Sequence, residues 1–167
     1  MFARISLVAF TVGLLVVASA HADDEPPLVL QESQTLLQQA TSSVETTLDK
    51  ALDLLGIRYR RGGNTPESGF DCSGFVSHVF HEGLGLELPH SAREMSKTGD
   101  PVTKDELQPG DLVFFNTMRR AFSHVGIYLG DNLFVHAPRR GSFVRIEDMS
   151  GRYWTKRFNG ARRVADQ

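Results

Sequence analysis

One cysteine and two histidines are the residues of this chain best suited to covalent catalysis. Cys72 is its only cysteine, and it lies in the stretch GFDCSGFVSHVF over residues 69–80. His124 and His136 stand at the two ends of the segment HVGIYLGDNLFVH. A cysteine thiolate is a nucleophile that needs a basic partner and a third group to orient that partner. These three residues are therefore candidates for nucleophilic acyl transfer.

The residues beside Cys72 favour a reactive thiol. Asp71 is a suitable N-cap for a helix that Cys72 opens, which would place the thiol in the first helical turn. The free N–H groups and the helix dipole favour an anion there, and such cysteines have pKa values lowered from about 8.5 to about 3.5–7.5. Ser73 and Gly74 are small and leave the helix start open to a substrate. The alternative is a buried cysteine that packs as a small apolar side chain.

The two histidines share one face of a hairpin only if its register allows it. Side chains alternate along a strand, so His124 and His136 share a face if the loop has an odd number of residues or the hairpin contains a bulge. Gly130, Asp131 and Asn132 predict a three-residue loop, which would place His136 diagonal to His124. The alternative is that both are ordinary strand histidines.

Helices precede strands along the chain. Ser42 and Glu45 form a capping-box pattern ahead of a helix that Gly56 ends, and a second helix runs from Cys72 to near Gly83. A short capped helix is predicted at SAREMSK. Strands are predicted in LQPGDLVFF, HVGIYLG, LFVHA, SFVRIEDM and RYWTKRFNGARRV. This order predicts an α+β fold, with helices packed on one antiparallel sheet.

The first residues predict export. Residues 1–22 combine Arg4, an apolar run and AHA before Asp23, which is typical of a cleavable signal peptide. No cysteine follows the run, so we expect a periplasmic or secreted protein without a lipid anchor and without a stable membrane span after cleavage. An unpaired thiol risks oxidation in that compartment, which favours a functional Cys72. Residues 23–41 predict a flexible tail, and residues 42–167 a single domain.

The charge distribution argues against nucleic acid as a partner. The formal net charge is −2, with seven acids and one base over residues 23–55 and a mildly basic remainder. That basic excess suits an anionic substrate but is too weak and too evenly spread for nucleic-acid binding. His78 and His81 share a helix face, but no third ligand clusters with them, so no metal site is predicted.

Four ordered motifs carry a family resemblance. YRRGG, GFDCSGFVSHVF, LQPGDLVFF and HVGIYLGDNLFVHA resemble the NlpC-type cell-wall cysteine peptidases, over about residues 44–164. In size the chain is similar to the Spr-like murein endopeptidases of the Gram-negative periplasm. The resemblance implies a papain-like fold and hydrolysis of peptidoglycan stem peptides without a metal or organic cofactor. It leaves any protein partner in the envelope undefined.

The resemblance also implies roles for individual residues. Cys72 would be the nucleophile, His124 the general base that forms an ion pair with it, and His136 the residue that orients His124. The backbone N–H of Cys72 and the hydroxyl of Tyr59 would form the oxyanion hole. Asp71 and Ser73 would bind polar groups of the substrate.

Several alternatives stay open at the level of sequence. Arg61 and His90 depart from residues common in the family, which leaves substrate preference undefined, and either the D-Ala to meso-diaminopimelate cross-link or the γ-D-Glu to meso-diaminopimelate bond fits. The arginine pairs 119–120 and 139–140 would either rim the cleft or remain solvated. Trp154 is expected to pack in the core or at a sheet edge. Other functions are a catalytically silent envelope binding module and a thiol acyltransferase or amidase on another substrate.

Overall fold

The computed structural model describes residues 28–117 and 119–164. The predicted signal peptide and the first residues of the predicted tail lie outside this part of the chain. Within the described residues, no helix is both long enough and apolar enough to cross a membrane.

The predicted helices come before the strands of the main sheet, and the structure adds short strands and a late helix that the sequence did not predict. The helices are α1 (Leu28–Asp53), α2 (Cys72–Leu84), α3 (Ala92–Met95) and α4 (Arg152–Thr155), and Lys104–Glu106 form a 3-10 turn. The strands are β1 (Asn64–Thr65), β2 (Gly69–Phe70), β3 (Asp100–Val102), β4 (Leu112–Phe115), β5 (His124–Gly130), β6 (Leu133–His136), β7 (Arg145–Asp148) and β8 (Phe158–Arg163).

Six of the strands form one antiparallel sheet in the order β3-β8-β4-β5-β6-β7. Helices α1 and α2 pack together, and α2 also packs against β5. The core therefore has two layers. One face of the sheet packs against the helices through residues such as Phe114 and Ile127. The other face carries a separate core cluster that includes Phe115, Phe134 and Trp154. The predicted α+β arrangement is confirmed.

Helix α1 begins earlier than the capping-box pattern predicts. It starts at Leu28, and Ser42 lies inside it, where its hydroxyl donates to the carbonyl oxygen of Gln39. The predicted start at Ser42 is therefore wrong, and the predicted tail is helical from Leu28 onward. Residues 32–42 are exposed, so this part of α1 gains little from burial. Residues of high helix propensity, rather than a buried apolar face, favour the helical conformation of this part.

Helix α2 begins where the sequence predicts it. Asp71 is the N-cap, and its Oδ1 accepts a hydrogen bond from the N–H of Gly74 at 2.8 Å. The helix start also lies against the loop before it. A Cβ on Gly74 would stand 2.1 Å from the carbonyl oxygen of Gly63, so only glycine allows this approach. The cap and the close contact together fix where Cys72 enters the fold.

The β5-β6 hairpin differs in detail from the prediction. Its turn has two residues, Asp131 and Asn132, both with positive φ (50° and 62°), and the register shifts between Tyr128 and Gly130. The predicted three-residue loop is therefore wrong. The irregularity in β5 instead adds the one extra residue that brings both histidines to the same face. The pairing of Ile127 with Val135 still sets His136 diagonal to His124, as predicted.

The last predicted strand is divided. RYWT forms the short helix α4, and only Phe158–Arg163 form β8. The side chain of Trp154 is buried against Phe115, with ring centroids 4.7 Å apart. The predicted packing role of Trp154 is confirmed.

Candidate active site

A cavity of about 830 Å³ opens where the start of α2 meets the start of β5. Cys72 and His124 both line it, together with Tyr59. Its remaining lining residues are Arg61, Thr117, Arg120, Ser123, Pro138, Arg139, Arg140, Arg145, Glu147, Tyr153 and Trp154. The fold therefore brings two of the predicted catalytic residues, which lie far apart in sequence, to one cavity.

Cys72 is a half-buried residue in the first turn of α2. Burial, followed by the negative charge of Asp71, raises its pKa to about 11, against the smaller opposing effect of backbone N–H groups of Val125, Ser73 and Cys72 itself. The predicted lowering of this pKa is therefore wrong, because loss of hydration outweighs the helix terminus. This shift favours the neutral thiol in the free protein.

His124 and His136 are in direct contact. The Nε2 atom of His124 lies 2.7 Å from the Nδ1 atom of His136, and the two rings are nearly perpendicular. Both side chains are buried. Gly126, two residues after His124 on β5, allows β6 to approach this closely. A Cβ there would stand 2.7 Å from the ring of Phe134 and 3.2 Å from the Cβ of His136.

Glu147 extends this pair of histidines. Strand β7 pairs with β6 so that Arg145 faces His136 and Glu147 faces Phe134, which sets Glu147 diagonal to His136. The Oε1 atom of Glu147 lies 3.5 Å from the Nε2 atom of His136, and this nitrogen has no hydrogen bond within the described residues. The carboxylate is therefore the stabilising neighbour of a fully buried imidazole nitrogen.

Trp154 and Arg145 hold the carboxylate of Glu147. The indole N–H of Trp154 donates to Oε2 at 2.6 Å, and the guanidinium of Arg145 forms an ion pair with Oε1. The contact with His136, followed by the hydrogen bonds from Trp154 and Arg145, lowers the pKa of Glu147 to about 2. The indole ring also stacks on His124, with centroids 5.9 Å apart. Glu147 is thus ionised and fixed in place.

An ionised Glu147 decides which nitrogens carry protons. A carboxylate only accepts, so it favours the proton of His136 on Nε2, which leaves Nδ1 as an acceptor. The Nε2 atom of His124 then donates across the 2.7 Å contact, and its Nδ1 is left without a proton. This tautomer leaves one basic nitrogen on His124, the residue that shares the cavity with the thiol.

Burial also keeps both histidines neutral. Loss of hydration, with repulsion from His136, lowers the pKa of His124 to about 3, and burial lowers the pKa of His136 as well. With the pKa of the Cys72 thiol raised as well, these shifts favour a neutral thiol and imidazole over the predicted thiolate-imidazolium ion pair, which stays a prediction. The arrangement instead suits transfer of the thiol proton to His124 as the sulfur attacks.

Tyr59 lies at the edge of the cavity. Its backbone N–H donates to the carbonyl oxygen of Ser142 at 2.8 Å, which ties it to the segment after β6. Burial, followed by the thiolate that Cys72 forms at high pH and by the carboxylate of Asp71, raises the pKa of Tyr59. Its hydroxyl therefore keeps its proton at neutral pH and can donate a hydrogen bond beside the thiol.

Asp71 and Ser73 make their hydrogen bonds inside the fold. The Asp71 carboxylate accepts from the N–H groups of Gly62 and Gly74, both at 2.8 Å. The hydroxyl of Ser73 lies 3.1 Å from Oδ1 of Asp71 and 3.0 Å from the carbonyl oxygen of His90, and Ser73 is buried. Neither residue lines the cavity. These contacts favour a role in positioning Cys72 over the predicted contact with substrate.

Arginines dominate the rim of the cavity. Arg61, Arg139 and Arg140 line it, and Arg120 does so from the loop before β5, whereas Arg119 does not. Of the two predicted departures from the family pattern, Arg61 reaches the cavity and His90 does not. Within the described residues, no group of three or more potential metal ligands converges.

Sequence reasoning missed Glu147 and the second role of Trp154. SFVRIEDM predicted a strand, but the pairing of β7 with β6 is not visible from one sequence, and this pairing brings the carboxylate to His136. An acidic residue within a strand next to the histidine strand was the available signal.

Comparison with known proteins gives a consistent result. The family model described as NlpC/P60 family matches residues 56–163. Murein DD-endopeptidase MepS/Murein LD-carboxypeptidase of Escherichia coli is 45% identical over 138 residues, which cover 81% of this chain and 72% of that protein. The probable endopeptidase NlpC of Escherichia coli is 35% identical over 162 residues, 96% of this chain and 99% of that protein.

A solved structure extends the comparison to the fold. An NlpC/P60 family protein from Bacillus cereus superposes with a TM-score of 0.69 at 31% identity, over 73% of this chain and 40% of that chain. The predicted papain-like α+β fold class is confirmed.

Proposed function

Because the chain belongs to the NlpC/P60 family of cell-wall cysteine peptidases, we propose that it hydrolyses peptide bonds in the stem peptides of peptidoglycan. The observation that carries this proposal is the shared cavity of Cys72 and His124, with His124 held by His136. A nucleophile, a base and an orienting group are the parts that acyl transfer requires.

The proposed reaction begins with a neutral thiol. As the sulfur of Cys72 attacks the carbonyl carbon of the scissile bond, its proton passes to Nδ1 of His124. The backbone N–H of Cys72 and the Tyr59 hydroxyl donate to the developing oxyanion. The imidazolium of His124 then returns its proton to the leaving amine as the C–N bond breaks, which leaves an acyl-enzyme.

Hydrolysis of the acyl-enzyme completes the cycle. Neutral His124 takes a proton from water as its oxygen attacks the thioester. The imidazolium then gives this proton to the sulfur as the C–S bond breaks, which restores the thiol of Cys72. His136 and Glu147 keep the same nitrogen of His124 basic in both halves of the reaction. The burial of His124 and His136 strengthens the contact between the two rings.

Digestion of isolated peptidoglycan tests the proposal. We expect the purified chain to release muropeptides that mass spectrometry identifies, and the Cys72→Ser variant to release none. Loss of cross-linked dimers in favour of intact monomer stems would assign the cross-link. Shortened stems would assign the γ-D-Glu bond instead.

Two other outcomes would overturn it. If the wild-type chain binds peptidoglycan in co-sedimentation but leaves it intact, the silent binding module replaces the peptidase. If an added amine acceptor is incorporated in place of water, the chain is a transferase.

A further inference from the structure

A second cavity of about 510 Å³ lies beside the candidate active site. It is lined by four cationic side chains and no acidic one, namely by Arg93, Ser96, Lys97, Arg120, Ala121, Phe122 and Arg162. Arg120 lines both cavities. The two cavities therefore adjoin at Arg120.

The four cations come from three separate parts of the fold. Arg93 lies in α3, Lys97 follows it one turn later, Arg162 is on β8, and Arg120 is on the loop between β4 and β5. This loop is tied to β8, because the N–H of Phe122 donates to Oδ1 of Asn159 at 2.9 Å. The ring of Phe122 also packs edge-on against Phe114 at 5.9 Å. The convergence of the charges therefore follows from tertiary contacts.

The second cavity has no acidic lining residue to balance these positive charges. Among residues 28–117 and 119–164, none of the four cations takes part in an ion pair. The one acid in the first cavity, Glu147, is paired with Arg145. The whole chain carries a formal charge of −2, so this positive surface is local. Such a surface attracts an anion, and arginine suits a carboxylate in particular because its N–H groups bind both oxygens.

Stem peptides present carboxylates in the required way. A γ-linked D-Glu keeps its α-carboxylate free, diaminopimelate carries a second carboxylate, and a cross-linked substrate has one stem on each side of the scissile bond. We propose that the second cavity is a subsite for carboxylates of the stem that extends past Arg120 from the reaction cavity. This assignment rests on the proposed function and names the part of the substrate that binds outside the reaction centre.

Kinetics with a matched pair of double variants test the subsite. Arg93→Gln with Lys97→Gln removes two exposed charges of the second cavity, and Lys104→Gln with Lys156→Gln removes two exposed charges outside both cavities. We expect KM for a cross-linked muropeptide dimer to rise at least about fivefold in the first variant, with kcat unchanged. The second variant should behave as wild type. Equal KM values in all three proteins would overturn the proposal while leaving the peptidase function intact.

Chemical change on the substrate gives the reciprocal test. Amidation of the free stem carboxylates should raise KM for the wild type, and the Arg93→Gln with Lys97→Gln variant should show no comparable further increase. If amidation weakens the wild type and this variant equally, the carboxylates bind elsewhere and the proposal is wrong.

A binding measurement separates this inference from catalysis. In the Cys72→Ala background, calorimetric titration with a tetrapeptide stem should show weaker binding when Arg93 and Lys97 are replaced, whether or not the wild type is active. Inorganic pyrophosphate is the second probe. If replacement of Arg93 and Lys97 weakens the binding of pyrophosphate but not of the stem, the cavity is a phosphate site and the carboxylate proposal is wrong.

Discussion

The Oε1 atom of Glu147 lies 3.5 Å from the Nε2 atom of His136, whose other nitrogen contacts His124. Two buried histidines alone have several arrangements of their protons. An ionised carboxylate at one end favours a single arrangement and leaves a basic nitrogen on His124. Glu147 is therefore a positioning residue that acts through two imidazole rings.

Replacement of Glu147 by Gln should lower kcat more than it changes KM. The amide keeps the size of the side chain but can donate to Nε2 of His136, which favours the opposite tautomer in both histidines. We expect kcat to fall about 10- to 100-fold, because general acid-base catalysis by His124 is weakened but not abolished. Steady-state kinetics on a defined muropeptide measure this.

The Glu147→Asp variant is the matched control, because it retains the charge. It should recover part of the lost activity and keep the pH profile of the wild type. Equal losses of activity in both variants, accompanied by equal losses in Tm, would indicate a purely structural role for Glu147.

The alkylation rate of Cys72 should rise steeply with pH in the free protein. Burial raises the pKa of the thiol to about 11, and only the thiolate reacts with iodoacetamide. The rate should therefore increase about tenfold per pH unit up to pH 10, as for a single group well below its pKa. Mass spectrometry of timed samples gives the rate. A plateau between pH 5 and pH 8 would reveal an ion pair in the free protein and contradict the neutral thiol.

Replacement of Asp71 by Asn should make Cys72 more reactive toward iodoacetamide. The negative charge of Asp71 is the second cause of the raised thiol pKa, so its removal lowers that pKa and moves the alkylation profile to lower pH. The variant also loses an acceptor for one of the two backbone N–H groups, at a cost of about 1 kcal/mol in the free energy of unfolding. Asp148→Asn is the control, because it removes the same charge from a residue that is not among the causes of the thiol pKa shift. An unmoved profile would exclude this electrostatic effect.

Replacement of Gly126 by Ala should damage the site through packing. The new Cβ would stand 2.7 Å from the Phe134 ring and 2.9 Å from the carbonyl oxygen of Val135, so the β5-β6 pair must shift. Overpacking of this kind costs about 1–3 kcal/mol in the free energy of unfolding. Urea unfolding measures the loss, and activity should fall further because the histidine contact widens.

The Gly151→Ala variant provides the comparison for Gly126→Ala. Gly151 has φ of −58°, and a Cβ there would have its nearest neighbour at 3.4 Å, so the substitution should be tolerated. Similar stabilities for the two variants would show that β5 and β6 adapt to a methyl group.

The sequence by itself determined the local features that surround the candidate site. Asp71 caps the helix that Cys72 opens, and Ser91 caps α3, because capping depends on residues within one turn of each other. The alternation of side chains in HVGIYLG and LFVH determined that His124 and His136 meet only in an irregular or odd-length hairpin, and the structure has such an irregularity.

Only the tertiary structure decided how distant segments meet and what charge states result. The pairing of β7 with β6 brings Glu147 to His136, and the packing of α4 brings Trp154 to Glu147. The pKa of Cys72 also moved opposite to the sequence prediction, because burial depends on residues from the whole chain whereas the helix terminus is local. Pairing and desolvation are sums over long-range contacts, and one sequence without its fold does not reveal them.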